Sequence, residues 1–206
     1  MRRKLRLGLF VLVSMVVMSA MATVQAADSK GHFAFRGIGG QSCKVVMDQM
    51  QKDSKAASNL DSWLMGYLTA ANREQSDTFD ISPVVAPSDL LNAVAGLCQT
   101  HSDMAVESVF NGLLKVLSVA RNRADSPIVE TRSGTNTASV RRETLIAMQT
   151  KLVDEGYLKG KADGAFGAGS EMALKAFQKD QKLPETGVAD GATIIRLLIE
   201  LPAKKN

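Results

Sequence analysis

Chemistry in this chain would concentrate at two cysteines, two histidines and one glycine-rich loop. Cys43 and Cys98 are the only thiols, and His32 and His101 the only imidazoles. In "AGLCQTH" Cys98 lies near His101, but a thiolate–imidazole nucleophile needs a free thiol and hydrogen-bond geometry as well as proximity. A catalytic zinc site needs about three His, Asp or Glu ligands and an open position. Two histidines, one of them in a loose N-terminal stretch, are a thin set, so neither a metal nor a cofactor is expected. A glycosidase needs two carboxylates facing across a cleft, and a helical bundle of roughly 80 residues leaves little room for one. The remaining feature is "DGAFGAGSEMALKAFQ", Asp163 to Gln178. Glycine-rich loops before helices often cradle phosphates, but this one has neither the lysine nor the preceding strand of a nucleotide loop. These residues point away from an enzyme.

The elements that must position these residues begin after an unusual N-terminus. Arg2, Arg3, Lys4 and Arg6 precede an apolar run from Leu7 to Ala22, and Val24-Gln25-Ala26 places small residues at a cleavage position. Residues 1–26 therefore read as a signal peptide cut after Ala26. The run is short for a bilayer crossing of ~20 apolar residues, which makes a retained anchor the lesser reading and implies no stable membrane insertion after cleavage. The whole chain has 25 basic and 21 acidic residues. Removing the four N-terminal basic residues leaves the rest balanced, and no clustered basic face suggests nucleic acid. In an exported chain two cysteines read as a disulfide, here closing a loop of about 55 residues worth about 4 kcal/mol in chain entropy. Two free buried thiols are the alternative.

Residues 27–41, with "GIGG", read as a flexible lead-in. Residues 42–121 read as four helices. The stripe Leu60, Trp63, Leu64, Tyr67, Leu68 and Ala71 defines one of them, and Leu90, Leu91, Val94 and Leu97 another after Pro83 and Pro87. Ser88 and Ser102 stand as candidate N-caps. Residues 122–139, rich in Ser, Thr, Asn, Asp and Gly, read as a flexible linker joining tethered modules. In residues 140–200, Leu145, Met148, Gln149, Leu152 and Val153 make a helix face. Gly156 would supply a left-handed stop, and Asp190 would cap a last helix. The fold class is all-α.

The ordered set Gln149, Leu152, Gly156-Tyr157, Asp163-Gly164, Phe166-Gly167, Ala173, Phe177-Gln178, Leu183-Pro184, Thr186-Gly187, Asp190 and Thr193 resembles the peptidoglycan-binding domain of the three-helix type. The likeness covers over a quarter of the chain. It implies a three-helix fold that binds peptidoglycan, with Asp163, Gly164, Phe166, Gly167, Ser170 and Gln178 as binding residues. Ser170 replaces the family's threonine and Ala168 its usual proline; the Ser170 hydroxyl is expected to cap the following helix. Read on their own chemistry, the same residues serve a turn and a small core.

"SWLMGYLTAAN" and "LCQTHSDMAVESVFNGLLKVL" are similar to small exported helical proteins with a cysteine pair, the HdeA-type acid-stress chaperones and the immunity proteins against type VI secretion amidases. That likeness makes Trp63, Gly66 and Tyr67 a possible partner surface. Core packing, with Gly66 allowing close helix approach, is the plainer account. The sequence thus suggests a periplasmic, non-catalytic peptidoglycan binder whose N-terminal part meets a periplasmic protein. A chaperone or immunity-type inhibitor of a wall-acting enzyme is the alternative, and a divergent wall hydrolase a third.

Overall fold

A computed structural model describes residues 27–199; the expected signal peptide lies outside them. Residues 27–34 belong to one unit and residues 35–199 to a second. In the first, the Asp28 carboxylate accepts the backbone N–H groups of Lys30 and His32 at 2.9 and 2.8 Å, closing a turn at Gly31.

The second unit is mostly helical. Its first part holds α1 (Cys43–Lys52), α2 (Ser54–Glu74), α3 (Pro87–Thr100) and α4 (Val106–Leu117). Asp53 ends α1 and caps α2 by accepting Lys55 N–H at 2.9 Å. Leu60, Leu64 and Leu68 of α2, Leu90 and Val94 of α3, and Phe110, Leu114 and Leu117 of α4 are buried together. Cys43 and Cys98 are bonded, joining α1 to α3, so Cys98 has no thiolate to share with His101. Two expected caps are not used. Pro87 opens α3 from an Ala86 N-cap, and Ala105 precedes α4. A proline with fixed φ and no N–H suits the first helical position better than the serine behind it. The "GIGG" lead-in forms a 3-10 turn, Gly37–Gly40.

The stretch expected as a flexible linker is corrected by a β-hairpin. Strands β1 (Ile128–Ser133) and β2 (Asn136–Arg141) pair antiparallel from Ile128↔Arg141 to Ser133↔Asn136. Gly134 takes φ +58° in the two-residue turn. β2 runs straight into α5 (Arg142–Asp154), followed by α6 (Ala168–Asp180) and α7 (Gly191–Leu198). Leu145, Met148, Leu152, Leu174, Phe177, Ile194 and Leu197 are buried around them. Asp190 caps α7, as its sequence position suggests, by accepting Thr193 N–H at 2.9 Å.

Polar contacts tie the two helical parts together. Asp89 of α3 accepts the Gly191 N–H at the start of α7 at 2.9 Å. Thr144 of α5 donates to the buried Asn122 carboxamide at 2.9 Å, and Glu143 accepts the Arg123 N–H at 3.2 Å. Arg141 meets Asp80 at 3.4 Å while its guanidinium lies 4.7 Å from the centre of the Phe79 ring. Among the described residues no helix is long and apolar enough to cross a membrane.

Candidate functional site

The loop from Gly156 to Gly167 is held from beneath by α5. Gly156 takes φ +81°, and Tyr157 and Leu158 both donate back to Leu152 O, closing the end of α5. Tyr157 packs edge-on to Phe177, centroids 5.6 Å apart. Its hydroxyl donates to Asp180 at 3.0 Å, and that bond, with burial, raises its pKa. The Asp163 carboxylate accepts Ala165 N–H at 2.8 Å, making the turn. Gly164 follows at φ +71°; a Cβ there would lie 2.6 Å from Arg142 Cγ and 2.9 Å from Ile146 Cγ1. Arg142 also donates to Asp163 O at 2.9 Å.

Gln149, buried in the α5 stripe, organises this loop. Its carbonyl accepts Gly164 N–H at 2.8 Å, and its amide donates to Ala165 O at 2.8 Å and Ser170 Oγ at 3.0 Å. Ser170 is therefore not the N-cap. Gly167, with extended backbone, precedes the helix, and Ser170 sits inside its first turn as the partner of Gln149. A hydroxyl one turn into the helix points at the buried amide, where it satisfies a donor that has no other route to a partner.

Gln178 repeats the device on α6. It accepts Gly187 N–H at 2.8 Å and donates to Thr186 Oγ1 and Thr193 Oγ1, both at 2.9 Å. Gly187 has φ +69°, close to Gly164. Asp163, Gly164, Gly167 and Ser170 thus correspond to Thr186, Gly187, Asp190 and Thr193 at a constant offset, an internal repeat that periodicity does not reveal. The shared signal is a glutamine at a buried position of an apolar helix face. Gln178 is 0% exposed, with both ends of its amide engaged, so it supports the fold and presents nothing to a ligand.

The two loops differ in what covers them. The second lies under the hairpin. Thr131 Oγ1 accepts Ala189 N–H at 3.1 Å, Asn136 donates to Thr186 O at 3.1 Å, and the Ser133 hydroxyl donates to Glu171 at 2.7 Å beside Gly187. Lys175 at 2.8 Å and the Ser133 hydroxyl together hold the Glu171 carboxyl below its ordinary range. On the first loop Asp163, Ala165, Gly167, Ala168 and Gly169 are exposed, Phe166 is half-buried against the core, and Met172 on α6 is 66% exposed. The structure therefore brings Asp163, Gly164, Phe166, Gly167 and Ser170 into one turn, with Gly164 and Ser170 facing inward.

Residues 141–197 match the family "Putative peptidoglycan binding domain". No curated protein and no solved structure matches the chain. The matched segment begins at the last residue of β2, so nearly all of the hairpin that covers its second loop lies outside the match. The likeness of the N-terminal helices to HdeA-type chaperones and amidase immunity proteins has no counterpart in these comparisons.

In those N-terminal helices Trp63 donates to Arg36 O at 2.9 Å, and Gly37 and Gly39 lie on its ring. A Cβ on Gly39 would stand 2.0 Å from that ring. Trp63, Tyr67 and Phe110 form a row with centroids 5.2 and 5.6 Å apart. Trp63 is thus sandwiched between helix and lead-in, while Gly66 faces open space and allows no helix approach. Among the described residues no group of three or more His, Cys, Asp or Glu side chains is placed to hold a metal ion.

Proposed function

We propose that this chain is an exported bacterial envelope protein that binds peptidoglycan without cleaving it, and that the exposed Asp163–Gly169 loop supplies the contact. The observation carrying the reading is the family match over 141–197. The open first loop supports it, since the equivalent second loop is occupied by the chain's own hairpin. Export to the periplasm is favoured by the N-terminal sequence pattern and by the Cys43–Cys98 disulfide, a bond that persists in oxidising compartments. The loop offers exposed backbone and an aromatic edge, a surface suited to the amides of a wall peptide or the face of a sugar. Incubating the full chain with purified sacculi and sedimenting them tests the reading. Saturable recovery in the pellet is expected; folded protein left wholly in the supernatant overturns it.

A second reading, in which the N-terminal part engages a periplasmic protein as a chaperone or an inhibitor of a wall-acting enzyme, is favoured by an apolar recess of about 280 Å³ between α3 and α4. Leu97, Met104, Val109 and Leu113 line it. Affinity capture from periplasm under native conditions should recover a protein partner; recovery of wall fragments alone counts against it.

A further inference from the structure

A separate groove of about 360 Å³ runs between α2 and α4. The two helices run in the same direction, since Tyr67 meets Glu107 near one end and Asp77 meets Arg121 past the other. Ala70, Ala71, Ile81 and Leu114 give the groove apolar surface. Tyr67 and Asn111 line it towards one end, and Glu74, Gln75, Lys115 and Ser118 further along the two walls. The Tyr67 hydroxyl donates to Glu107 at 2.7 Å, and burial and that bond raise its pKa, so its oxygen is left to accept. Glu107 itself is buried behind Tyr67 and does not line the groove. Asn111 on one wall and Gln75 on the other each carry a carboxamide that no described residue hydrogen-bonds. The charged lining residues are Glu74 and Lys115, both exposed and opposite in sign, and Glu74 lies 3.2 Å from the exposed Arg73. The lining therefore carries no net charge.

Apolar surface between two sets of uncharged polar groups suits a neutral ring rich in hydroxyls. A pyranose has an apolar C–H face and a rim of neighbouring hydroxyls, each a donor and an acceptor. A carboxamide is likewise both donor and acceptor, so Asn111 and Gln75 can each serve such a rim from opposite walls. An ionic ligand gains little from a lining whose two charges cancel. An extended peptide gains no main-chain donors, because both walls are helices whose N–H groups are paired internally. From Tyr67 to Glu74 the α2 wall rises ~10 Å, and the volume lies within the usual range for ligand sites, about 300–1,000 Å³.

We propose that this groove binds a neutral pyranose, with a C–H face of the ring against Ala70 and Ala71 and its hydroxyls on the Asn111 and Gln75 carboxamides. The site lies outside the matched residues 141–197 and does not depend on the wall-binding reading. The small alanines leave room for the ring, and the Tyr67 oxygen accepts from a hydroxyl at the Asn111 end.

The test titrates the full isotope-labelled chain with methyl β-glucoside, with methyl N-acetyl-β-glucosaminide and, as a peptide, with tri-alanine, following backbone amide resonances. Saturable shifts confined to residues 67–75 and 111–118 are expected with a glycoside at millimolar concentration and not with tri-alanine. Binding should change less than about two-fold between low and physiological salt, because no ion pair forms. Asn111→Ala and Gln75→Ala should each weaken it about ten-fold, the size of one hydrogen bond. Ala70→Leu should abolish the shifts by filling the groove. Groove resonances that stay unmoved by both glycosides overturn the proposal, as does undiminished binding in Gln75→Ala. Groove shifts with tri-alanine alone overturn it by assigning a peptide, and shifts falling only on residues 163–169 overturn it by placing the sugar on the wall-binding loop. Gln75 is exposed, so its variant keeps the test usable should Asn111→Ala perturb packing.

Discussion

At the scale of single residues, the candidate loop depends on side chains that are absent as much as on those present. Gly164 combines φ +71° with an Arg142 side chain in the space a Cβ would need, whereas a Cβ on Gly167 would meet nothing within 4 Å. Gly164→Ala is therefore expected to cost about 1–3 kcal/mol in urea unfolding, and Gly167→Ala less than about 0.5 kcal/mol. Equal effects would show that the loop relaxes around either change. Acid and alkali act through different residues. The Glu171 carboxyl is depressed in the folded chain by Lys175 and Ser133, so its contribution is present above its ordinary 4.5 and is lost as pH falls below that. The Tyr67 pKa is raised, so its contribution is present below 10.0 and is lost as pH rises past it. Thermal melts across pH should show both flanks, with Ser133→Ala moving only the acid one. The sequence made the loop's residue types and its turn legible. It did not show that Ser170 serves Gln149, because a buried amide's partner depends on the depth at which α5 packs beneath the loop.

At the scale of elements, α2 and α3 are legible because their apolar stripes, Leu60 to Ala71 and Leu90 to Leu97, recur at helical spacing and lie within those helices. The hairpin is not. Its buried residues include Thr131 and Ser133, so the alternation of strand faces is written in hydroxyls rather than aliphatic side chains and reads as a polar linker. Those hydroxyls are what bind it to the second loop. Thr131→Val keeps the shape but leaves Ala189 N–H unpaired in a buried place, and is expected to cost about 1–3 kcal/mol. Faster hydrogen exchange confined to residues 183–190 would accompany it, and unchanged exchange there would contradict the role given to the hairpin. Cys43–Cys98 acts on the other part. Reduction should lower stability by about 4 kcal/mol in the loop-entropy account, and exchange should rise first in α1, which the bond fixes to α3.

At the scale of the whole molecule, the two helical parts share contacts whose partners lie far apart in sequence, which is why the chain reads as two tethered modules until it is seen folded. Asp89 adds a carboxylate to the positive end of α7 and fills the space beside Gly191, where a Cβ would lie 2.6 Å from it. Asp89→Ala should loosen the start of α7 by about 1 kcal/mol, seen as faster exchange at residues 191–194 although the substitution lies in the N-terminal part. No change there would mean the parts are energetically separate.

The central claim, that the exposed first loop binds peptidoglycan while the covered second loop does not, is tested most directly by sedimentation with purified sacculi using two arginine variants of the full chain. Ala165→Arg puts bulk on the open loop at a residue whose own C=O and N–H are already engaged by Gln149 and Asp163. Glu185→Arg puts the same side chain at an exposed position of the loop beneath the hairpin. The account predicts that Ala165→Arg loses recovery in the pellet while Glu185→Arg sediments like the parent. Full recovery of Ala165→Arg, or loss confined to Glu185→Arg, would contradict it.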